Sequence, residues 1–178
     1  MEEKVIFAPK TVKIKGGEIL IRLLREEDGL QLALEEQAQG WGTTTEKFET
    51  RMRDFAAGAC IPLCAELDGK PVGYVNLYKE PGGPFAGTGW PYIVDFAVLE
   101  RVRGRGVGSA LMDAVEALAA ETSDTVCLGV GLHSGYGAAQ RGYVPDGSGV
   151  WYEDHVWDQY APCVNDDELN LFLSKKLF

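Results

Sequence analysis

The run Tyr92-Ile-Val-Asp-Phe-Ala-Val98, followed after Leu99-Glu-Arg-Val by Arg103-Gly-Arg-Gly-Val-Gly-Ser109, decides how the chain is read. The first part is a short apolar run and reads as a buried strand. Ala110 to Glu121 reads as an amphipathic helix, with Val107, Leu111, Ala114 and Leu118 on its buried face and Asp113 and Glu116 outward. Between them lies a glycine-rich strand-to-helix turn. Such a turn exposes backbone N–H groups at the positive end of the helix dipole. Glycines let that backbone approach a ligand closely. Arg101, Arg103 and Arg105 add cations at the same place. The chemistry points to a polyphosphate.

Spacing narrows the choice. A Walker A loop ends in Gly-Lys-Ser/Thr, and no lysine follows Gly108. The dinucleotide fingerprint Gly-x-Gly-x-x-Gly is absent, because Gly104, Gly106 and Gly108 alternate strictly, and no acidic residue ends a second strand about 20 residues on. The pattern that fits is Arg/Gln-x-x-Gly-x-Gly/Ala, as Arg103-Gly-Arg-Gly106-Val-Gly108 after a strand ending in Ala97-Val98. This resembles the pyrophosphate loop of the GNAT superfamily of acyl-CoA-dependent N-acetyltransferases.

Bulk properties agree with an enzyme domain of ordinary size. The chain has 178 residues, 46% hydrophobic and 25% charged, which predicts one globular domain over 1–178 with residues 1–17 as an N-terminal extension. No apolar run approaches the ~20 residues of a membrane helix. Met1-Glu-Glu-Lys leads into no signal-type segment, so a cytoplasmic protein with no membrane partner is expected. Cys60, Cys64, Cys127 and Cys163 lack metal-ligand spacing, and only His133 and His155 could add imidazole, so no metal is expected. Cys60 and Cys64 read as buried reduced thiols. A net charge of −10 argues against nucleic acid as partner. From Gly142 to Ser174 seven acids occur without one Lys or Arg. That is a solvated acidic face, or a flank suited to a cationic amine.

Working outward, Glu18 to Leu24 reads as a first strand, with Glu26-Glu27-Asp28 placed where a helix N-terminus favours acids. Leu30, Ala33, Leu34 and Ala38 follow at helical spacing up to Gly40. Thr43-x-x-Glu46 reads as a capping box for a second helix with Phe48, Met52, Phe55 and Ala56 as its apolar stripe, ended at Gly58. Pro62–Leu67 and Val72–Tyr78 form a hairpin around Asp68-Gly69. Glu80 to Trp90, with four glycines and two prolines, predicts a mobile or substrate-facing loop. Thr125–Leu132, a short helix at Ser134–Arg141, and strands at Val150–Val156 and Leu169–Leu173 complete the chain.

This order, together with the opening Ile19-Leu-Ile-Arg-Leu-Leu-Arg-Glu-Glu-Asp28 and the segment from His133 to Tyr152, resembles an uncharacterised bacterial branch of the superfamily. The resemblance implies an α+β, three-layer GNAT-like fold. Its central sheet of about seven strands is mixed, mostly antiparallel and flanked by helices. The strand ending at Val98 and the next one splay apart to admit pantetheine. It implies acetyl-CoA as co-substrate, with Val98 at the acyl and pantetheine end and Arg103, Gly104, Arg105, Gly106, Val107, Gly108 and Ser109 at the pyrophosphate. A backbone N–H near Val98 would polarise the thioester carbonyl.

The resemblance places catalytic groups less firmly. Tyr136-x-x-Ala139-x-x-x-Tyr143 keeps the spacing of a family helix whose tyrosine protonates the leaving thiolate. Yet Gly142 is a natural helix stop and Pro145 disfavours helix at Val144, so Tyr143 is either that acid or a packing residue after a shortened helix. Asp95, inside an apolar strand and opposite Tyr92 in face, is a candidate base. His133 is another, and a water chain is the family's frequent substitute. The expected function is transfer of an acetyl group to a primary amine on a small molecule or peptide, in a ternary complex of a monomer or homodimer. The alternatives are a catalytically degenerate acyl-CoA-binding module and, third, a nucleotide-binding domain.

Overall fold

The computed structural model describes residues 7–131, 144–152, 155–156 and 170–178. They form two compact units, one of residues up to Tyr78 with Asp95–Leu118, the other of Lys79–Val94 with the residues from Ala119 onward.

In the first unit, β1 (Lys10–Ile14), β2 (Gly17–Leu23), β3 (Cys60–Leu67) and β4 (Lys70–Tyr78) pair antiparallel in chain order. The β3–β4 turn has Asp68 at φ 51° and Gly69 at φ 76°. Both central residues are left-handed, which the Asp-Gly pair favours and which matches the strands' twist. β1 lies inside the stretch read as an extension, and its Val12 faces Ile19 across the ladder. Ile19, Ile21, Leu63, Val72 and Val75 are buried.

Helix α1 (Glu26–Ala38) turns a different face inward than its leucines suggest. Leu30 and Leu34 are 59% and 57% exposed, while Asp28, Gly29, Leu32, Ala33 and Glu36 are buried. Two causes are visible. Gly29 admits Phe48 of helix α2 (Thr45–Ala56) so closely that a Cβ there would stand 2.8 Å from Phe48 Cβ. Asp28 is drawn in by Arg22 of β2, which donates Nη1 and Nη2 to its two oxygens at 2.6 and 2.8 Å and Nε to Glu66 at 2.7 Å. Asp28 also accepts from the Arg25 N–H at 2.8 Å, closing the helix start. In α2 the N-cap is Thr44, one residue after the expected Thr43, with no side-chain cap bond.

Strand β5 (Tyr92–Val98) passes from the second unit into the first, and helix α3 (Val107–Ala120) begins within the glycine turn. In α3, Val107, Leu111, Ala114 and Leu118 are buried and Asp113 is exposed, as its periodicity predicts. Gly73 of β4 makes room for the end of β5: a Cβ there would lie 2.9 Å from the Ala97 carbonyl oxygen and 3.2 Å from Leu111 Cδ1.

The second unit holds β6 (Thr125–Gly131), β7 (Val144–Tyr152), the two-residue β8 (His155–Val156) and β9 (Asn170–Lys176). Its strand neighbours run β5-β6-β9-β7-β8. Among the pairings described, β5–β6 alone is parallel, and it covers Tyr92↔Cys127 and Ile93↔Leu128. The sheet is therefore mixed and mostly antiparallel, seven strands with β1 and β8 added. The loop before β5 is not simply open chain. A turn at Gly83–Phe85 buries Phe85 against Trp90, Tyr92 and Phe172, with the Phe85–Phe172 ring centroids 5.4 Å apart. Burial in this cluster pushes the Tyr92 phenol up to about 12. Among the described residues no helix is long and apolar enough to cross a membrane, and no His/Cys/Asp/Glu group could hold a metal. The helix expected at 134–141 lies outside the described residues.

Candidate active site

Asp95 is the centre of a charged cluster in the first unit. Its φ is +56°, and it shares a left-handed backbone only with Asp68 among the described non-glycine residues. A strand residue in that conformation breaks the pleat and re-aims its side chain. The Asp95 carboxylate thereby meets groups from α2 and β4, and the same Lys47 and Tyr74 also contact Glu36 of α1.

Lys47 and Arg51, one turn apart on α2, face it from either side. Lys47 Nζ lies 3.5 Å from Asp95 Oδ1, 3.2 Å from Glu36 Oε2 and 2.5 Å from the Tyr74 hydroxyl. Its ammonium also stands 4.9 Å from the ring centroids of both Phe48 and Tyr74. Arg51 Nε lies 3.7 Å from Asp95 Oδ2, an ion pair too long for a hydrogen bond. Arg51 Nη1 donates to the Tyr78 hydroxyl at 2.8 Å, and that hydroxyl donates in turn to Asp54.

Tyr74 decides how the acids differ. Its one hydroxyl proton can serve one carboxylate. Glu36 Oε1 is at 2.8 Å and Asp95 Oδ1 at 3.4 Å, so Glu36 takes it. Glu36 is fully buried and satisfied by Tyr74 and Lys47. Asp95 is left with ion pairs of 3.5 and 3.7 Å, its Oδ2 has no hydrogen-bond partner among the described residues, and its side chain is 21% exposed. It is less satisfied than Glu36 and, unlike Glu36, half-buried rather than sealed from solvent, which suits a proton acceptor. Burial beside two carboxylates drives the Tyr74 phenol well above its ordinary range, so it stays protonated.

The glycine turn follows β5 after a short 3-10 turn at Glu100–Val102. Gly104 and Gly106 have φ of 71° and 98°, conformations that favour glycine. The Ala110 N–H bonds the Gly106 carbonyl at 3.0 Å, making Val107, Gly108 and Ser109 the first helical residues, whose N–H groups have no acceptor within the helix. Gly104, Gly106, Arg103 and Ser109 are exposed, and a Cβ at Gly104 would meet no atom within 4 Å. Bare backbone, a helix N-terminus and cations fit a pyrophosphate. The arginines already have protein partners. Arg103 donates Nε to the Val98 carbonyl at 3.2 Å, pairs with Glu100 at 3.4 Å and lies over the Trp41 ring. Arg105 donates Nε and Nη2 to the carbonyls of Lys15 and Gly16 at 3.0 and 3.2 Å, tying the β1–β2 turn to the loop. Arg101 pairs with Glu35.

Comparison with known proteins decides the family. Residues 26–134, more than half of the chain, match the Acetyltransferase (GNAT) family. The chain belongs to that family. Among solved structures it is similar to a GNAT-family protein from Desulfovibrio desulfuricans, at 16% identity and a TM-score of 0.67, over 90% of this chain and 99% of that one. Ard1 from Thermoplasma volcanium gives 22% identity and a TM-score of 0.65, over 90% and 98%. RimJ from Mycobacterium smegmatis, in complex with CoA-disulfide, gives 15% and 0.66, over 99% and 90%. At these identities the solved structures establish the GNAT fold. No curated protein matches the sequence.

The GNAT match contains Asp95, Val98 and the whole Arg103–Ser109 turn. Tyr143 and His133 lie outside the described residues. Tyr92 belongs to the aromatic cluster of the second unit, not to the charged cluster around Asp95. The Leu99 N–H is bonded to the Val72 carbonyl at 2.9 Å, so an amide that polarises a thioester near Val98 must come from β5 itself. Sequence reasoning missed Glu36, Lys47, Arg51 and Tyr74. A signal existed for two of them: Lys47, Arg51 and Asp54 recur at helical spacing, alongside the apolar stripe of α2.

Proposed function

We propose that this GNAT-family chain transfers an acetyl group from acetyl-CoA to a primary amine by direct attack in a ternary complex. Arg103–Ser109 hold the pyrophosphate, Val98 borders the acyl and pantetheine end, and Asp95 takes the amine's proton. The observation that carries this reading is the course of β5: one strand leads from a half-buried, incompletely paired carboxylate, through the short turn at Glu100–Val102, to an exposed glycine turn at a helix N-terminus. A free amine near pKa 10 must lose a proton before attack. The amine nitrogen then forms a bond to the thioester carbon, the C–S bond breaks, and CoA leaves as a thiolate. Tyr143 is the proposed acid for that thiolate, on its spacing alone.

The charges of the cluster support a cationic acceptor. Glu36, Asp54 and Asp95 face Lys47 and Arg51, three negative charges against two positive. A cytoplasmic site of action is part of the same reading, supported by free thiols at Cys60, Cys64 and Cys127.

The test pairs binding with turnover. Acetyl-CoA should raise the melting temperature where ATP and NAD do not, and thiol release should appear with at least one member of a panel of amines, diamines and N-terminal peptides. CoA binding without thiol release on any amine would replace the enzyme reading with an acyl-CoA-binding module.

A further inference from the structure

We propose that Lys47 and Glu36 form a counter-charge pair that sets the proton affinity of Asp95, making them positioning residues for the proposed base. The inference rests on the reading of Asp95 given above. It goes further by assigning roles to two residues that no motif marks.

The geometry makes Lys47 a shared cation. It stands 3.2 Å from Glu36 and 3.5 Å from Asp95, and it pairs with no other carboxylate among the described residues. Glu36 is completely buried on α1, so its charge cannot be offset by solvent; Lys47 and the Tyr74 hydroxyl provide the compensation. This has a consequence for Asp95. When Asp95 is ionised, Lys47 serves both acids. When Asp95 takes a proton, Lys47 remains held by Glu36, Tyr74 and two aromatic faces. The cation therefore keeps its place in both protonation states, and no charge is left buried alone.

The remaining groups around Asp95 are one further ion pair and three neutral side chains. From α2, Arg51 places a second cation beside it, itself paired with Asp54. From β4, Tyr74 and Tyr78 stay neutral, as does the Cys60 thiol of β3. Against this background Lys47 and Glu36 work in opposite senses. Loss of the Lys47 charge removes a cation next to Asp95 and should raise its pKa. Loss of the Glu36 charge removes an anion and releases Lys47 wholly to Asp95, which should lower it.

The experiment is a carboxyl-carbon NMR titration of the full-length protein labelled at aspartate, with the Asp95 signal identified by its absence in D95N. The expected Asp95 midpoint rises by about 1–3 units in K47M, falls by about one unit in E36Q, and stays near wild type in K47R. Melting curves report folding of each variant. Should E36Q alone prove unfolded, the K47M/E36Q double variant, which removes both charges together, should bring the midpoint back toward wild type. Equal midpoints in K47M and wild type, or shifts of the same sign in K47M and E36Q, would overturn the proposal. Turnover of D95N separates the two claims: full activity there would remove Asp95 as base and leave the titration result standing by itself.

Discussion

Asp95 unites the proposed proton transfer with a strained backbone in one residue. A left-handed aspartate inside a strand costs on the order of 1–3 kcal/mol, and the surrounding ion pairs of Lys47 and Arg51 hold it there. Asp95→Asn keeps shape and removes basicity. Turnover should fall about 10²- to 10⁴-fold while the dissociation constant for acetyl-CoA, measured by calorimetry, stays within twofold. The cysteines make a second prediction at this scale. Burial pushes the Cys60 and Cys64 thiols up to about 12. An unfolded thiol ionises near 8.5, so above that pH the unfolded chain releases protons that the folded chain retains. Stability is thus fully present below the unfolded pKa and falls as pH rises toward the folded one, by up to about 1.4 kcal/mol per pH unit for each thiol. Denaturant midpoints measured at pH 8, 9 and 10 should decline in that order, and Cys64→Ser should flatten the decline.

At the scale of elements, close approach rests on a few glycines. Gly73→Ala would press a methyl to 2.9 Å from the Ala97 carbonyl, forcing β4 away from the end of β5. Overpacking of this kind costs about 1–3 kcal/mol, and here it should also lower turnover, because β5 carries Asp95. A variant as stable and active as wild type would show that the contact yields freely. Gly106 is a different case. A Cβ there would come no nearer than 3.8 Å to Ile14, so the space is open and the cost lies in φ of 98°. Gly106→Val should lose about 1–2 kcal/mol yet remain folded, with acetyl-CoA affinity reduced at least tenfold. Unchanged affinity by calorimetry would remove the turn from the proposed binding site. The N-terminal strand also reaches this turn, through the carbonyls of Lys15 and Gly16 on Arg105. Nothing in the periodicity of residues 1–17 announces that link, since it depends on a backbone turn meeting a distant guanidinium.

For the whole molecule, a ligand that binds only the folded state stabilises it by mass action. At 100 times its dissociation constant, acetyl-CoA should add about 2.7 kcal/mol. For a chain of this length that corresponds to roughly 5–10 °C in melting temperature, and no shift at millimolar acetyl-CoA would count against the proposed activity. Local signals made much of the fold legible in advance. Asp68-Gly69 predicts its hairpin because few residue pairs accept two left-handed conformations, and α3 predicts its buried face because its apolar residues follow the helical period without competition. The glycine turn was legible for the same reason: backbone freedom and cationic side chains are written in the residues themselves. Where polar residues are buried, the sequence misleads. Hydropathy turns Leu30 and Leu34 of α1 inward, yet Asp28 and Glu36 occupy the inner face because Arg22, Tyr74 and Lys47 neutralise them there. Those partners lie on β2, β4 and α2, remote along the chain, and no window of sequence contains them together. The chain by itself determined most of the described helices and strands, its glycine turn and its kinship, but not β1. Only the tertiary structure decided which acid is satisfied and which is left open, because that difference is made by one tyrosine proton shared across three elements.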